Sequence, residues 1–99
     1  MAETDAPIII RRLAWDEWNR EHIRKHRVSQ VEIDEVVALE PMQRETYKGR
    51  TLLIGQSAKG TMLAVVVGPV PDEPGLYYVF SARPASRQER KRYHSRIKP

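Results

Sequence analysis

The chain has 99 residues, of which 40% are hydrophobic and 30% charged, and it contains no cysteine. This composition fits one small globular domain over residues 1–99, and it excludes a disulfide framework, a thiolate zinc site and a cysteine nucleophile. No apolar run approaches the roughly 18 residues that a membrane-spanning helix needs, so we expect no membrane partner. The lack of disulfides suits a reducing compartment, and we expect a cytoplasmic protein.

The positive charge is concentrated near the C-terminal end. Residues 83–98 contain seven basic residues and one acidic residue, a net charge of +6, whereas the remaining residues carry ten basic and twelve acidic side chains, a net charge of −2. A basic segment of this kind predicts binding to a polyanion or to an acidic partner protein. The alternative at this point is a solvated basic tail without a binding function.

The first half of the chain predicts one strand followed by two helices. The apolar run from Ile8 to Leu13 is typical of a strand. Asp16 is a suitable N-cap for a first helix that runs to about Arg27. A second helix begins at the capping box Ser29–Glu32 and ends at Pro41, because proline cannot continue a helix.

The second half of the chain predicts four strands and a final helix. Residues 42–47 predict a weak, polar strand. Apolar, β-branched and aromatic residues between turn signals mark three further strands over residues 51–55, 62–67 and 76–82. A capping box at Ser86–Glu89 opens a terminal helix to about Arg96. Because short turns join consecutive strands, we predict an α+β domain in which a small antiparallel β-sheet (a meander) is flanked by two N-terminal helices and one C-terminal helix.

Two histidines share one face of the first predicted helix, since His22 and His26 lie four residues apart. This spacing suits two metal ligands, but the glutamate of an H-E-x-x-H pattern is absent, and no metal site is predicted. His26 alone has two interpretations. It is either a helix-end histidine near the last carbonyl groups or a general acid or base that titrates near neutral pH.

The terminal helix places a cationic face beside the end of the last strand. Arg87, Arg90 and Lys91 are spaced so that they share this face. Arg83 leaves the preceding strand just before the helix, where a guanidinium is suited to hold a phosphate in bidentate fashion. Tyr93 offers a ring for base stacking, a phenol for proton transfer or a core anchor. Nucleic-acid contact and simple packing on the sheet both remain open from this pattern.

Several motifs are absent from the sequence. It has no phosphate loop for nucleotide cofactors, no G-x-S-x-G nucleophile elbow and no acidic trio to hold magnesium. We therefore expect no cofactor, and we expect any catalysis to be independent of a metal ion.

As an ordered set, the residues resemble the BrnT family, ribonuclease toxins of bacterial type II toxin–antitoxin systems with a RelE-like fold. The match runs from about Leu13 to Tyr93. It rests on Trp15-Asp16, Lys25-His26 with Val28, Arg50 leading into Leu53–Ser57, Ser81-Ala82-Arg83, and Glu89-Arg90 with Tyr93. One departure is Arg27, which stands where the family usually has glycine.

This resemblance implies a RelE-like toxin domain that cleaves RNA without a metal ion or cofactor and so inhibits translation. It also implies neutralisation by a ribbon-helix-helix antitoxin (BrnA-like), and with it a toxin–antitoxin hetero-oligomer. The catalytic residues it implies are His26, Arg50, Arg83 and Tyr93. The residues expected to bind RNA are Lys25, Arg87, Arg90 and Lys91.

Two other functions remain open from the sequence. One is a non-catalytic basic interaction module, an inactive toxin homologue that binds an antitoxin or nucleic acid without cutting. The other is a DNA-binding protein that reads duplex DNA through its terminal helix, although no helix-turn-helix pattern is recognisable.

Overall fold

The computed structural model describes residues 7–96, which contain five strands and three α-helices. In chain order these are β1 (Arg12–Ala14), α1 (Glu17–Lys25), α2 (Gln30–Ala38), β2 (Met42–Glu45), β3 (Thr51–Gln56), β4 (Met62–Pro69), β5 (Leu76–Pro84) and α3 (Arg87–Ser95). The predicted α+β class and element order are confirmed. None of the helices in this part of the chain is long and apolar enough to cross a membrane.

Capping boxes begin α2 and α3, as predicted. In α2 the Ser29 hydroxyl accepts the Glu32 N–H at 3.1 Å, and the Glu32 carboxylate accepts the Ser29 N–H at 2.9 Å. Ser86 and Glu89 form the same reciprocal pair at the start of α3. These boxes involve residues only three apart, so the local sequence is sufficient to specify them.

The first helix ends two residues earlier than predicted, because the chain reverses at Arg27. This residue has a φ of 60°, in the left-handed region. The N–H groups of Arg27 and Val28 donate to the carbonyls of Arg24 and Ile23 at 2.9 and 3.1 Å. This hydrogen-bond pattern normally places glycine at the reversed position. Arginine there costs about 1 kcal/mol relative to glycine.

The strand predicted over Ile8–Leu13 is confirmed only at its end, since Arg12–Ala14 pair as β1 and Ile8–Ile10 do not. The Ile8 N–H donates to Oε1 of Gln43 at 2.8 Å, and the Ile8 carbonyl accepts from Nε2 of the same side chain at 3.2 Å. Ile8 and Ile10 pack against the core. The alternate side chains of this run are therefore partly buried without a strand partner.

The sheet has the strand order β1-β5-β4-β3-β2. Strands β2 to β5 form the predicted antiparallel meander. The first strand adds a pairing that the prediction did not include, because β1 pairs with β5 in parallel, with Arg12 opposite Leu76. The two helices between β1 and β2 carry the chain from one edge of the sheet to the other, and this crossover makes the sheet mixed.

The main core lies between α1, α2 and one face of the sheet. Its buried members are Ile23, Val28, Ile33, Val36, Leu53, Leu63, Val65, Val67, Val79 and Ala82. Because side chains alternate along a strand, the residues between these core positions point to the opposite face. On this opposite face α3 contacts β3. At the end of the same face that contains Gly68, the side chains of Phe80 and Arg50 lie on the sheet.

A buried asparagine fixes α1 beside β5. The Nδ2 group of Asn19 donates to the Ala14 carbonyl at 2.9 Å and to the Val79 carbonyl at 3.1 Å. The second bond satisfies a β5 carbonyl just beyond the three residues that pair with β1. The helix therefore continues the edge of the sheet, and this places its first turn next to Tyr78 and Phe80.

Candidate active site

Arg50 directly precedes β3 and follows a single 3-10 turn at Tyr47–Gly49. Lys48 in this turn has a φ of 62°. The Thr46 N–H donates to the Arg50 carbonyl at 2.8 Å and closes the turn. The backbone of Arg50 is thus fixed on both sides, by the turn before it and by the strand after it.

The Arg50 side chain lies against an aromatic ring. Its guanidinium carbon is 3.7 Å from the centroid of the Phe80 ring and 5.8 Å from that of Tyr47. A cation–π contact at a partly exposed site is worth about 0.5–1 kcal/mol. The contact holds the cation in place without using its N–H donors, which stay available to an anion.

A glycine makes this contact possible. A Cβ atom on Gly68 of β4 would lie 2.8 Å from Cε2 of Phe80 and 3.5 Å from Cγ of Arg50. The first distance is shorter than real Cβ contacts allow. The two side chains therefore meet over Gly68 because this position has no side chain of its own.

A β-bulge brings Phe80 to the open face. The register between β4 and β5 shifts by one residue at Val66/Val67, and Phe80 has no direct partner on β4. The extra residue lets Val79 and Ala82, three apart, both belong to the core. Bulges commonly re-aim a side chain in this way.

A row of aromatic rings runs along the exposed side of α1. The indole of Trp18, which is 57% exposed, stacks on the His22 ring with centroids 4.8 Å apart and planes 9° apart. The His22 ring meets the His26 ring edge-on at 5.7 Å. An open recess of about 510 Å³ is lined by Trp18, Arg50, Tyr78 and Phe80. We call it the aromatic recess. It places Arg50 and the ring row of α1 on the same side of the molecule.

Lys25 lines a second, smaller recess of about 360 Å³ on the same helix. The other residues of its wall are Glu17, Trp18, Glu21 and His22. Lys25 and His26 are both exposed at the end of α1. The two predicted site residues of this helix are therefore accessible, and two carboxylates lie on the Trp18–His22 side of the helix.

A hydrogen bond between Tyr78 and Asp16 orders one wall of the aromatic recess. The phenol donates to the carboxylate, with distances of 2.9 and 3.0 Å to its two oxygens. The Asn19 N–H, and then the phenol, lower the pKa of Asp16. Burial and the carboxylate raise the pKa of Tyr78. The phenol therefore stays protonated at neutral pH and acts as a fixed donor to Asp16, so it is not suited to serve as a base.

Arg83 is paired with a carboxylate of its own chain. Its Nη1 and Nη2 atoms donate to Oε1 and Oε2 of Glu89 at 2.7 and 2.8 Å. Oε1 also accepts the Ser86 N–H at 2.8 Å. The Arg83 hydrogen bonds, with smaller help from Ser86, lower the pKa of Glu89 to about 2. The pair is ionised at every physiological pH, and Glu89 neutralises the charge of Arg83.

The cations of α3 are exposed, whereas its tyrosine is not. Arg87 and Lys91 face solvent, and Arg90 donates from Nη1 to the Ala85 carbonyl at 2.9 Å. The Tyr93 ring is only 7% exposed, and the Arg96 guanidinium lies 4.3 Å from its centroid. Among the three interpretations of Tyr93, this burial favours the core anchor over proton transfer or base stacking.

A groove of about 710 Å³ separates α3 from β2. It is lined by Met42, Gln43, Arg44, Gln88, Lys91, Arg92, Ser95 and Arg96. We call it the basic groove, since four of these eight side chains are cationic and none is anionic. Its charge suits an acidic ligand.

The fold agrees with that of a solved ribonuclease toxin. The crystal structure of the Brucella abortus ribonuclease toxin BrnT matches this chain with a TM-score of 0.61 and 28% sequence identity. The match covers 77% of this chain and 97% of that chain. The predicted resemblance to BrnT is confirmed. No protein-family model matches the sequence, and no curated protein matches it either.

The predicted site residues of this BrnT-like chain fall into two groups. Arg50 lines the aromatic recess, and Lys25 and His26 lie at the C-terminal end of the helix that carries Trp18. Arg83 and the predicted residues of α3 lie at the other end of the sheet. On β4, Gly68 lies beneath Arg50 and Ala64 pairs with Arg83. Four residues of strand separate these positions by roughly 13 Å. With Arg50 on Phe80 and Arg83 on Glu89, the two guanidinium groups do not converge on one phosphate.

The structure adds three aromatic residues that the sequence analysis did not assign to the site. Trp18, Tyr78 and Phe80 were interpreted as parts of a helix and a strand. The spacings that place them were visible, since Trp18 precedes His22 by one helical turn and Tyr78 precedes Phe80 by two strand residues. The sequence did not predict that the three side chains line one recess, because this depends on the packing of α1 beside β5.

Neither histidine belongs to a metal cluster in the described region. Over residues 7–96 there is no group of three or more His, Cys, Asp or Glu side chains that is suited to hold a metal ion. The rings of His22 and His26 instead contact each other edge-on.

Proposed function

We propose that this protein is the toxin of a toxin–antitoxin pair and that it acts as an endoribonuclease. The observation that supports this most directly is the similarity to the Brucella abortus ribonuclease toxin, which extends over 97% of that chain. The half-buried cation of Arg50 in an aromatic recess adds chemical support, because phosphates bind to guanidinium groups and unpaired bases stack on aromatic rings. An RNA substrate would place the activity in the cytoplasm, where the toxin would inhibit translation.

The reaction we propose is an internal transfer at phosphorus. The ribose 2′-oxygen forms a bond to the adjacent phosphorus while the bond from phosphorus to the 5′-oxygen breaks. The products are a 2′,3′-cyclic phosphate and a 5′-hydroxyl. One proton leaves the 2′-hydroxyl and one reaches the departing 5′-oxygen, so the step needs a base, an acid and a cation for the phosphate oxygens.

Arg50 supplies the cation in this proposal. Its guanidinium is fixed against Phe80 before substrate binds, so little reorganisation accompanies the development of charge on the phosphate. His26 is assigned to proton transfer because its imidazole is exposed at the end of α1 and imidazole is the commonest general acid or base in enzymes. Lys25 is the candidate for the complementary proton, since Tyr93 is buried.

Arg83 has a conditional role. An RNA phosphate competes with the Glu89 carboxylate, which already holds the guanidinium through two short hydrogen bonds. We assign Arg83, Arg87, Arg90 and Lys91 to the binding of flanking phosphates. Such contacts strengthen binding in a manner that depends on salt concentration.

The test is cleavage of single-stranded RNA by the purified full chain in the presence of EDTA. We expect the wild-type protein to yield 2′,3′-cyclic phosphate ends and His26→Ala to lose about 10²- to 10⁴-fold in rate. Lys59→Ala is the matched control, because this exposed cation lies in the β3–β4 turn, at the opposite end of β3 from Arg50. Equal cleavage by all three proteins, or cleavage only with added metal, would contradict the proposal.

The partner in this proposal is a ribbon-helix-helix antitoxin that binds as a hetero-oligomer. The basic groove supports an acidic contact segment, since Arg44, Lys91, Arg92 and Arg96 line it. Expression of the toxin alone should arrest growth, and co-expression of the antitoxin should restore it. Arg92→Glu should weaken the complex and prevent this rescue without abolishing RNA cleavage.

A non-catalytic interaction module is the second candidate. The neutralisation of Arg83 by Glu89 favours it, because one of the predicted catalytic cations is not free. Such a protein would bind the antitoxin with wild-type affinity, leave growth unaffected and leave RNA intact. The cleavage experiment above separates the two functions.

A further inference from the structure

The aromatic recess contains more than the proposed cleavage reaction requires. Phosphoryl transfer needs Arg50 and proton-transfer groups, but it makes no use of Trp18, Tyr78 or the exposed faces of their rings. Trp18 is 57% exposed and lines the recess together with Tyr78 and Phe80, rather than packing in the core. Aromatic rings grouped beside a cation are a surface on which unpaired bases stack.

The walls of the recess are fixed in advance. The Trp18 indole is stacked on His22. The Tyr78 ring is held by its bond to Asp16 and meets the Phe80 ring edge-on, with centroids 4.9 Å apart. Phe80 in turn supports Arg50. A flat ligand therefore meets aromatic surfaces that are already oriented, so little conformational freedom is lost on binding.

The charges around the recess define how such a ligand is oriented. Arg50 provides a cation at one side of the opening, while the carboxylates of Asp16, Glu17 and Glu21 lie on the α1 side. A phosphate is attracted to Arg50 and repelled from the first turns of α1. A ligand with a flat apolar part and an attached anion fits if the flat part lies against Trp18 and the anion faces Arg50.

We propose that the aromatic recess binds one unpaired nucleobase of single-stranded RNA, with the base stacked against Trp18 and its phosphate on Arg50. The inference rests on the proposed function for the identity of the substrate. The inference goes beyond the proposed function because it names a base subsite. It also predicts that duplex RNA is a poor ligand, since a paired base is not free to enter the recess. Unpaired bases commonly stack on aromatic side chains.

Binding can be measured apart from cleavage with a 2′-O-methyl oligonucleotide, whose blocked 2′-oxygen cannot attack phosphorus. The full chain contains two tryptophans, Trp15 and Trp18. We expect a single-stranded 2′-O-methyl hexamer to quench the Trp18 fluorescence of the wild-type protein. Trp18→Ala should bind the hexamer about tenfold more weakly, and Trp18→Phe should retain most of the affinity.

Two controls address other causes of weaker binding. Val31→Ala removes an exposed apolar side chain from α2, away from the recess, and should bind like the wild type. A set of hexamers is also tested, each with one abasic position. The wild-type protein should bind one of them more weakly than the intact hexamer, whereas Trp18→Ala should bind all of them with equal affinity. Thermal unfolding of each variant verifies that it is folded.

The outcomes separate the base subsite from the proposed function. Equal hexamer affinity of Trp18→Ala and wild type overturns the subsite, even if both proteins cleave RNA. Loss of antitoxin affinity without loss of RNA affinity in Trp18→Ala also overturns it and assigns the recess to the partner protein. The wild-type fluorescence could also be quenched in a base-dependent manner while the protein leaves unmodified RNA intact. That outcome supports the subsite and overturns the nuclease assignment.

Discussion

The two ends of the open sheet face hold arginines in different ways. At one end Arg50 lies on the Phe80 ring, and the described residues contain no carboxylate paired with it. At the other end Arg83 is bound by both oxygens of Glu89. The aromatic contact positions a charge and leaves it available, whereas the ion pair positions a charge and neutralises it. Formal charge along the sequence therefore does not reveal which cations a ligand encounters.

The largest expected effect comes from removing each arginine in turn. Arg50→Ala should lower kcat/KM for RNA cleavage by about 10²- to 10³-fold, the usual cost of one oriented donor to a transition-state oxygen. Arg83→Ala should lower it by about tenfold or less, because Glu89 already occupies that guanidinium. Steady-state kinetics with a short RNA measures both. If Arg83→Ala loses as much activity as Arg50→Ala, the ion pair does not withhold Arg83 from substrate.

A smaller effect is expected from filling the space beneath Arg50. Gly68→Ala places a Cβ atom 2.8 Å from the Phe80 ring and should lower the free energy of unfolding by about 1–3 kcal/mol. It should also reduce cleavage, because the support of Arg50 shifts. In the Phe80→Ala background the same substitution should cost much less. Chemical denaturation of the four proteins in this cycle measures the coupling, and additive effects would exclude the clash.

The ion pair at the other end should be visible in acid. The pKa of Glu89 is lowered from 4.5 to about 2, so its stabilising effect is complete above pH 4.5 and is lost as the pH falls towards 2. After allowance for solvent screening of the half-exposed Arg83, we expect Glu89→Gln to cost about 1–2 kcal/mol of unfolding free energy at pH 7. The variant should also lose less stability than the wild type between pH 4.5 and 2.

The control for this prediction is Glu21→Gln. Glu21 pairs with Arg24 at 3.3 Å, but both side chains are more than half exposed. We expect a change of less than about 0.5 kcal/mol and an unchanged acid profile. Urea unfolding at several pH values compares the variants. Parallel pH profiles for Glu89→Gln and the wild type would contradict the assignment.

The smallest expected effect concerns the salt dependence of RNA binding. Lys91→Ala should reduce the slope of log K against log salt concentration by about 0.7, the value for one phosphate contact on a single strand. Trp18→Ala should weaken binding and leave the slope unchanged, because stacking releases no counterions. Titrations of the 2′-O-methyl hexamer at several salt concentrations give both slopes. A change of slope in Trp18→Ala would refute stacking as the source of its affinity.

Features that depend on neighbouring residues were predicted well. The capping boxes at Ser29 and Ser86 involve residues three apart, and they define the starts of α2 and α3. The meander followed from short turns between consecutive strands. The Ile8–Ile10 run was misinterpreted because its residues favour a strand, while strand formation also requires a partner along the backbone.

Features that depend on distant residues were not predictable in this way. The parallel pairing of Arg12 with Leu76 joins two ends of the domain, and no local pattern specifies it. The contact of Arg50 with Phe80 depends on a bulge in β5 and on a glycine in β4. The partner of Arg83 lies only six residues away, yet the sequence suggested Glu89 as a cap and did not indicate that it also binds the arginine.

The crossover of the sheet has a consequence for the order in which the molecule assembles. Residues paired across the ends of the meander hairpins are six to eight positions apart, whereas Arg12 and Leu76 are 64 apart. Closing the longer loop costs more entropy, so we expect the hairpins to form first and β1, with α1, to dock late. A partly folded chain would then have its Arg83–Glu89 pair before it has a complete aromatic recess, because the recess also needs Trp18 of α1.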